Sequence, residues 1–216
     1  MATQIDSTTQ LTKKSGKGQR DGVISELFTL WDVKPGHEAE LRAATERLAN
    51  VLKNAPLELN VQTGLRDERH VIFDGGKRMV WFTTFETDWD PYVEDAFMRI
   101  GIDNFTDWMQ HLTSADRWWA WIREAGGEEK LRAATEITGT GQEKEERVGL
   151  GWLKKYLQDH QMPASGYYNA VSYMTHAEIR KAHQVYEAFQ QVLDDPDAAE
   201  ALQHPALKPL LEQAAD

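Results

Sequence analysis

Apolar positions along the chain fall into two spacings, and each spacing marks an element. From Val23 to Val33 hydrophobic side chains occupy both parities, with Ile24, Leu27, Phe28, Leu30, Trp31 and Val33. A strand of that kind is covered on both faces. Lys34-Pro35-Gly36 ends it, and Leu41, Ala44, Leu48, Val51 and Leu52 then recur at helical spacing over residues 37–54, closed by Ala55-Pro56. A long second strand is predicted over Leu59–Phe73 and a third over Arg78–Glu86, joined by the hairpin signal Asp74-Gly75-Gly76-Lys77. A two-residue turn at Gly75-Gly76 pairs Phe73 with Arg78, Ile72 with Met79, Val71 with Val80, His70 with Trp81 and Arg69 with Phe82. One face then carries Val71, Phe73, Val80 and Phe82 and is expected to pack on helices. The other carries His70, Ile72, Met79, Trp81, Thr83 and Phe85, with Arg66 and Glu68 further along. That mixed face is expected to line a pocket, a subunit interface, or both.

Asp90-Pro91 predicts the start of a second helix, with Asp90 as cap and an apolar stripe of Tyr92, Val93, Ala96, Phe97 and Ile100. Phe105, Trp108, Met109 and Leu112 extend the helical pattern beyond Gly101, and Trp118, Trp119, Trp121 and Ile122 follow a break. Residues 125–147 are rich in glycine and charge and read as an excursion or lid, before a helix over Val148–His160. A last strand is predicted over Tyr167–Met174, then a helix over 176–194 opened by a Thr175/Glu178 capping box. Residues 1–22 read as a disordered arm and 195–216 as a polar, partly helical tail. The order gives an α+β class: a ferredoxin-like βαββαβ antiparallel sheet in one domain over 23–194, with a helical insertion at about 113–162 before the last strand, and a C-terminal helix. Such a sheet has one bare face, which a second copy or the excursion helices would cover.

Composition narrows the chemistry. The 216 residues carry a formal charge of −11, which argues against binding to nucleic acid or to anionic membranes. The absence of cysteine removes disulfides, thiolate nucleophiles and Cys-ligated metals, and with no apolar leader it fits a cytoplasmic protein. Eight Trp point to thick aromatic packing or a ring-lined site.

Three stretches resemble a known group. They are Glu26–Gly36 leading into a helix, Met79–Asp95 with Asp88-Trp89-Asp90 before a helix, and Tyr167–Tyr173 followed by the helix carrying Ile179 and Arg180. Together, over about residues 23–113 and 148–194, the chain resembles the dimeric α+β barrel superfamily. It is most similar to an uncharacterised bacterial group related to dye-decolourising peroxidases and antibiotic-biosynthesis monooxygenases. The resemblance implies a pocket between the open sheet face and its cover. The Gly-x-x-Asp-Gly segment of dye-decolourising peroxidases is absent, and no histidine matches a heme ligand of either heme family in the superfamily.

No phosphate-loop, dinucleotide-binding or serine-hydrolase motif is present. His70, beside Trp81 on the mixed face, is the candidate general base or heme ligand, and Arg66 the candidate for orienting a polar group. Trp31, Trp81, Phe85, Tyr167 and Tyr173 would line a pocket for a flat ring, or form a dimer core. His176 and His183 stand seven apart, a poor spacing for a metal, and no metal site is expected. The expectation is a protein that binds a hydrophobic or aromatic small molecule, acting as a cofactor-free or heme-linked oxidoreductase of monooxygenase or peroxidase type. The alternative is a non-catalytic, homo-oligomeric interaction protein; in either reading a homodimer is the expected assembly.

Overall fold

The computed structural model describes residues 18–86, 88–135 and 150–214. The chain divides into two compact units, Met1–Tyr173 and Met174–Asp216. The helix expected to close the main domain therefore falls in the second unit.

The first unit is α+β. Strands β1 (Arg20–Asp21), β2 (Ile24–Asp32), β3 (Leu65–Phe73) and β4 (Arg78–Phe85) form one antiparallel sheet in the order β1-β2-β4-β3. The β3–β4 hairpin has the expected register, from Phe73 opposite Arg78 to Arg69 opposite Phe82. Gly75 and Gly76 take positive φ of 64° and 91°, and the Lys77 N–H donates to the Asp74 carbonyl at 3.2 Å, closing the turn.

Two strand assignments change. Residues expected to begin the second strand instead form a helix, α2 (Leu57–Thr63), which follows α1 (Glu38–Asn54) directly. Gly64, with φ of 71°, ends α2 and lets β3 begin at Leu65. The strand expected over Tyr167–Met174 does not form, because the free edge of β2 is already filled by three short pieces. Glu26 N–H donates to the Gln19 carbonyl (3.0 Å), Leu30 N–H to the His160 carbonyl (3.0 Å) and Lys34 N–H to the His111 carbonyl (2.9 Å). Residues 18–22, read as part of a disordered arm, thus supply β1; residues 1–17 lie outside the described residues.

Helices α3 (Trp89–Ile100), α4 (Ile102–Met109), α5 (Ala115–Glu124), α6 (Glu128–Thr135) and α7 (Leu150–Asp159) follow β4. The N-cap of α3 is Asp88 rather than Asp90. Part of the stretch read as a lid is the helix α6, and residues 136–149 lie outside the described residues. All of α1 and α3–α7 contribute to a single core with Leu27, Trp31, Met79, Trp81 and Phe85 of the sheet.

That core reverses the expected use of the two faces. The mixed face of Met79, Trp81, Thr83 and Phe85 is fully buried under helices. Val71 on the hydrocarbon face is 49% exposed, and Phe28, Leu30, Phe73, Val80 and Phe82 beside it are only partly covered. Large rings bury roughly 150–250 Å² each, which outweighs the cost of carrying a few polar groups inward.

In the second unit, α8 (His176–Leu193) opens on the expected capping box, and α9 (Ala199–Leu202) and α10 (Lys208–Ala214) follow after short 3-10 turns. None of its described residues is buried. No helix among the described residues is long and apolar enough to cross a membrane.

Candidate functional site

Alternation along β3 sends Glu68 and His70 to the same, helix-covered face of the sheet. Their side chains are only 9% and 6% exposed. The His70 ring lies parallel to Trp81, with centroids 6.1 Å apart, and meets Trp108 edge-on at 5.3 Å. Phe105 and Trp108 of α4 pack against Trp81, so helix and hairpin together form an aromatic box around the two polar groups.

Polar atoms in this box are left over. Glu68 Oε1, His70 Nε2, Trp81 Nε1 and Trp108 Nε1 are buried without a hydrogen-bond partner. The His70 Nδ1 lies 3.6 Å from Glu68 Oε1, too far for a good hydrogen bond. Burial pushes the Glu68 carboxyl up to about 7; the Trp81 indole dipole acts against this without reaching hydrogen-bonding geometry, and the Asp67 charge adds to it. Burial drives His70 down to about 4, so its imidazole is neutral at physiological pH. A carboxyl that gains and loses a proton near neutrality, beside a neutral imidazole, is the setting of a general acid–base group.

Glu68 stands at the inner end of a cleft of about 60 Å³. The cleft passes between the ends of α1 and α3, from the exposed Val51 and Arg99 to Glu68, Trp81 and Tyr92. Its walls are otherwise apolar, with Leu52, Val93, Ala96, Ile100 and Phe105 among them. The α2 helix supplies Thr63. A benzene-sized ligand needs a cavity of roughly 150 Å³, so the inner cleft holds a few heavy atoms and not a flat ring.

The expected site residues do not converge. Trp81 lines the cleft and His70 stands behind it. Trp31 is core: its indole N–H donates to the Thr29 hydroxyl (2.7 Å) and its face stacks on His160 (3.9 Å between centroids). Phe85 is fully buried and stacks on Tyr92. Arg66 is the extra residue of a β-bulge that turns it to an ion pair with Glu86, both side chains largely buried. Tyr167 belongs to another polar group; burial raises its hydroxyl to about 12, with Asn169 opposing and the charges of Glu26 and Asp21 adding. Tyr173 is 73% exposed. Simple alternation puts Glu68 on the same face as His70, but only its depth in the structure marks it as a candidate.

The residues do not fit a heme. The cleft is far too small, and His70 is closed in by Trp81 and Trp108. On β2, β3 and β4 the other sheet face presents no His, Met or Tyr side chain to serve as an axial ligand. Among the described residues no group of three or more His, Asp or Glu side chains is placed to hold a metal ion. No family model matches the chain, and neither a curated protein nor a solved structure matches it.

Proposed function

We propose that the protein binds a small, mostly apolar molecule in the cleft between α1 and α3, with Glu68 as the group that exchanges a proton with it. The observation that carries this reading is the buried Glu68 carboxyl, with one oxygen unpartnered, at the inner end of an apolar cleft. Desolvation holds its proton affinity near neutrality, where a general acid or base works best. His70, neutral and 3.6 Å from the carboxyl, packs beside it without forming an ion pair. A cofactor-free oxidoreductase would use the same proton removal to activate its substrate; the heme-linked form is set aside because neither face fits the group.

The test is a nuclear magnetic resonance titration with 1-butanol. Saturable shifts are expected at the amides of Val51, Val93, Ala96 and Ile100, and Ala96→Phe, which fills the cleft, is expected to remove them. Shifts scattered over the surface, or none, would remove the reading.

One observation favours a second reading, assembly of two copies. Phe28, Leu30, Val71, Phe73, Val80 and Phe82 form an apolar patch across three strands, with Arg69 and Arg78 lying over two of its rings. The order β2-β4-β3, with an antiparallel bridge of Thr29 to Gln161 beside β2, supports a ferredoxin-like plan and with it the kinship to the dimeric α+β barrels.

A further inference from the structure

Three aromatic rings and a carboxylate meet at the inner end of the cleft. Trp81, Tyr92 and Phe105 line it together with Glu68, and the Oε1 of Glu68 has no hydrogen-bond partner. Resting on the reading of this cleft as a ligand site, we propose that it takes a small organic cation, an alkylammonium group seated against Glu68 and the rings with its hydrocarbon tail toward Val51 and the mouth.

The chemistry follows from the donor set. An ammonium supplies the positive charge and N–H donor that a buried carboxylate lacks, and ring faces attract cations most strongly where water is excluded. A neutral alcohol satisfies the oxygen but gains nothing from the rings. An anion would have to pass to a site whose one charged inner group is negative. The single cation among the lining residues, Arg99, is at the rim and donates to Gln62 Oε1 at 3.1 Å. The inner volume of about 60 Å³ admits an ammonium head and excludes a ring. The protein's charge of −11 draws cations toward the surface at low ionic strength.

Binding of this kind displaces a proton. The Glu68 carboxyl is held up to about 7 by desolvation, with the Trp81 indole opposing and Asp67 reinforcing, and a cation beside it reverses that penalty. Around Glu68 the other facing titratable groups are His70, neutral through burial, and Tyr92, whose phenol is pushed up by burial and stays protonated. Affinity for the cation is therefore set by the ionised fraction of Glu68, and it rises about tenfold between pH 6 and pH 8.

The experiment compares n-butylammonium with 1-butanol by isothermal calorimetry on the full chain at pH 6, 7 and 8. The expected result is binding of n-butylammonium at least about tenfold tighter than 1-butanol at pH 8, converging at pH 6. Proton release at pH 7 would appear as a heat that changes with the ionisation enthalpy of the buffer. Glu68→Gln is expected to reduce n-butylammonium to the affinity of 1-butanol; should that variant not fold, the pH dependence of the unaltered protein carries the test. Equal affinity for both probes at every pH overturns the cation assignment and leaves the cleft reading standing. Absence of binding by either probe overturns both.

Discussion

Glu68 and His70 titrate in opposite senses on folding. The Glu68 carboxyl rises from 4.5 to about 7, so between those values the folded protein keeps a proton that the unfolded chain has released, and stability falls as pH rises. His70 drops from 6.5 to about 4, so between those values the unfolded chain takes a proton that the folded protein refuses, and stability rises with pH. Each slope is worth about 3 kcal/mol across its window, and they nearly cancel where the windows overlap. Urea unfolding over a pH series should separate them. Glu68→Gln leaves the gain between pH 4 and 6.5 uncompensated, and His70→Asn leaves the loss between pH 4.5 and 7. Variants with the same pH profile as the unaltered protein would show that neither group is desolvated as described. The pairing of His70 with Trp81 was readable from the Asp74–Lys77 turn alone, since register follows from where the chain reverses. Which face went inward was not. Both faces are rich in hydrocarbon, and the choice fell to the larger total area of Trp81, Phe85 and Met79 against six helices that the local pattern could not orient.

At the scale of elements, the unusual feature is how β2 is flanked. Its second edge is covered by residues 19–21, 160–162 and 111–113 in succession rather than by one strand. Tyr167–Met174 is rich in the aromatic and apolar residues that strands favour, but a strand also needs an unoccupied edge, and that depends on distant parts of the chain such as residues 19–21. The same limit hid α2, where Leu57, Glu58 and Val61 suit either period and only Pro56 and Gly64 bound the segment. The pieces fit because glycine lies at the contact points. Gly22 has φ of 58°, and a Cβ there would overlap the Ser172 carbonyl, which accepts from the Val23 N–H at 2.8 Å. Gly22→Ala is expected to cost about 1–3 kcal/mol in urea unfolding and to speed hydrogen exchange at Val23. Gly151→Ala, in the first turn of α7 with no described neighbour where its Cβ would sit, is expected to stabilise by up to about 1 kcal/mol. Equal effects from the two substitutions would mean that Ser172 does not press on Gly22.

For the molecule as a whole, charge and the open sheet face act against each other. Two copies of a chain at −11 repel, while joining their apolar faces would bury Val71 and what is left uncovered of Phe28, Phe73 and Phe82. Sedimentation velocity is therefore expected to show a dimer whose population rises with ionic strength, and Val80→Glu, at the centre of the patch, is expected to leave a monomer. A monomer at every salt and micromolar protein concentration would remove the assembly reading without touching the cleft. The second unit, Met174–Asp216, has no buried described residue, and its helices depend on local devices such as the Thr175/Glu178 box. The first unit instead holds a nearly unbroken run of rings. Trp81 meets Trp108 at 5.4 Å, Trp108 meets Trp31 at 6.0 Å, Trp31 meets Tyr156 at 5.4 Å, Tyr156 meets Trp152 at 4.7 Å, and Trp152 meets Trp121 at 5.3 Å. Chromophores so close share their excited states, so the near-ultraviolet circular dichroism of this protein belongs to the chain of rings and not to any one of them. Phe97 and Phe105 join Trp121 back to Trp81, so a slip of α7 that moved Trp152 and Tyr156 would open one side of a closed circuit and change the spectrum of indoles that had not moved at all.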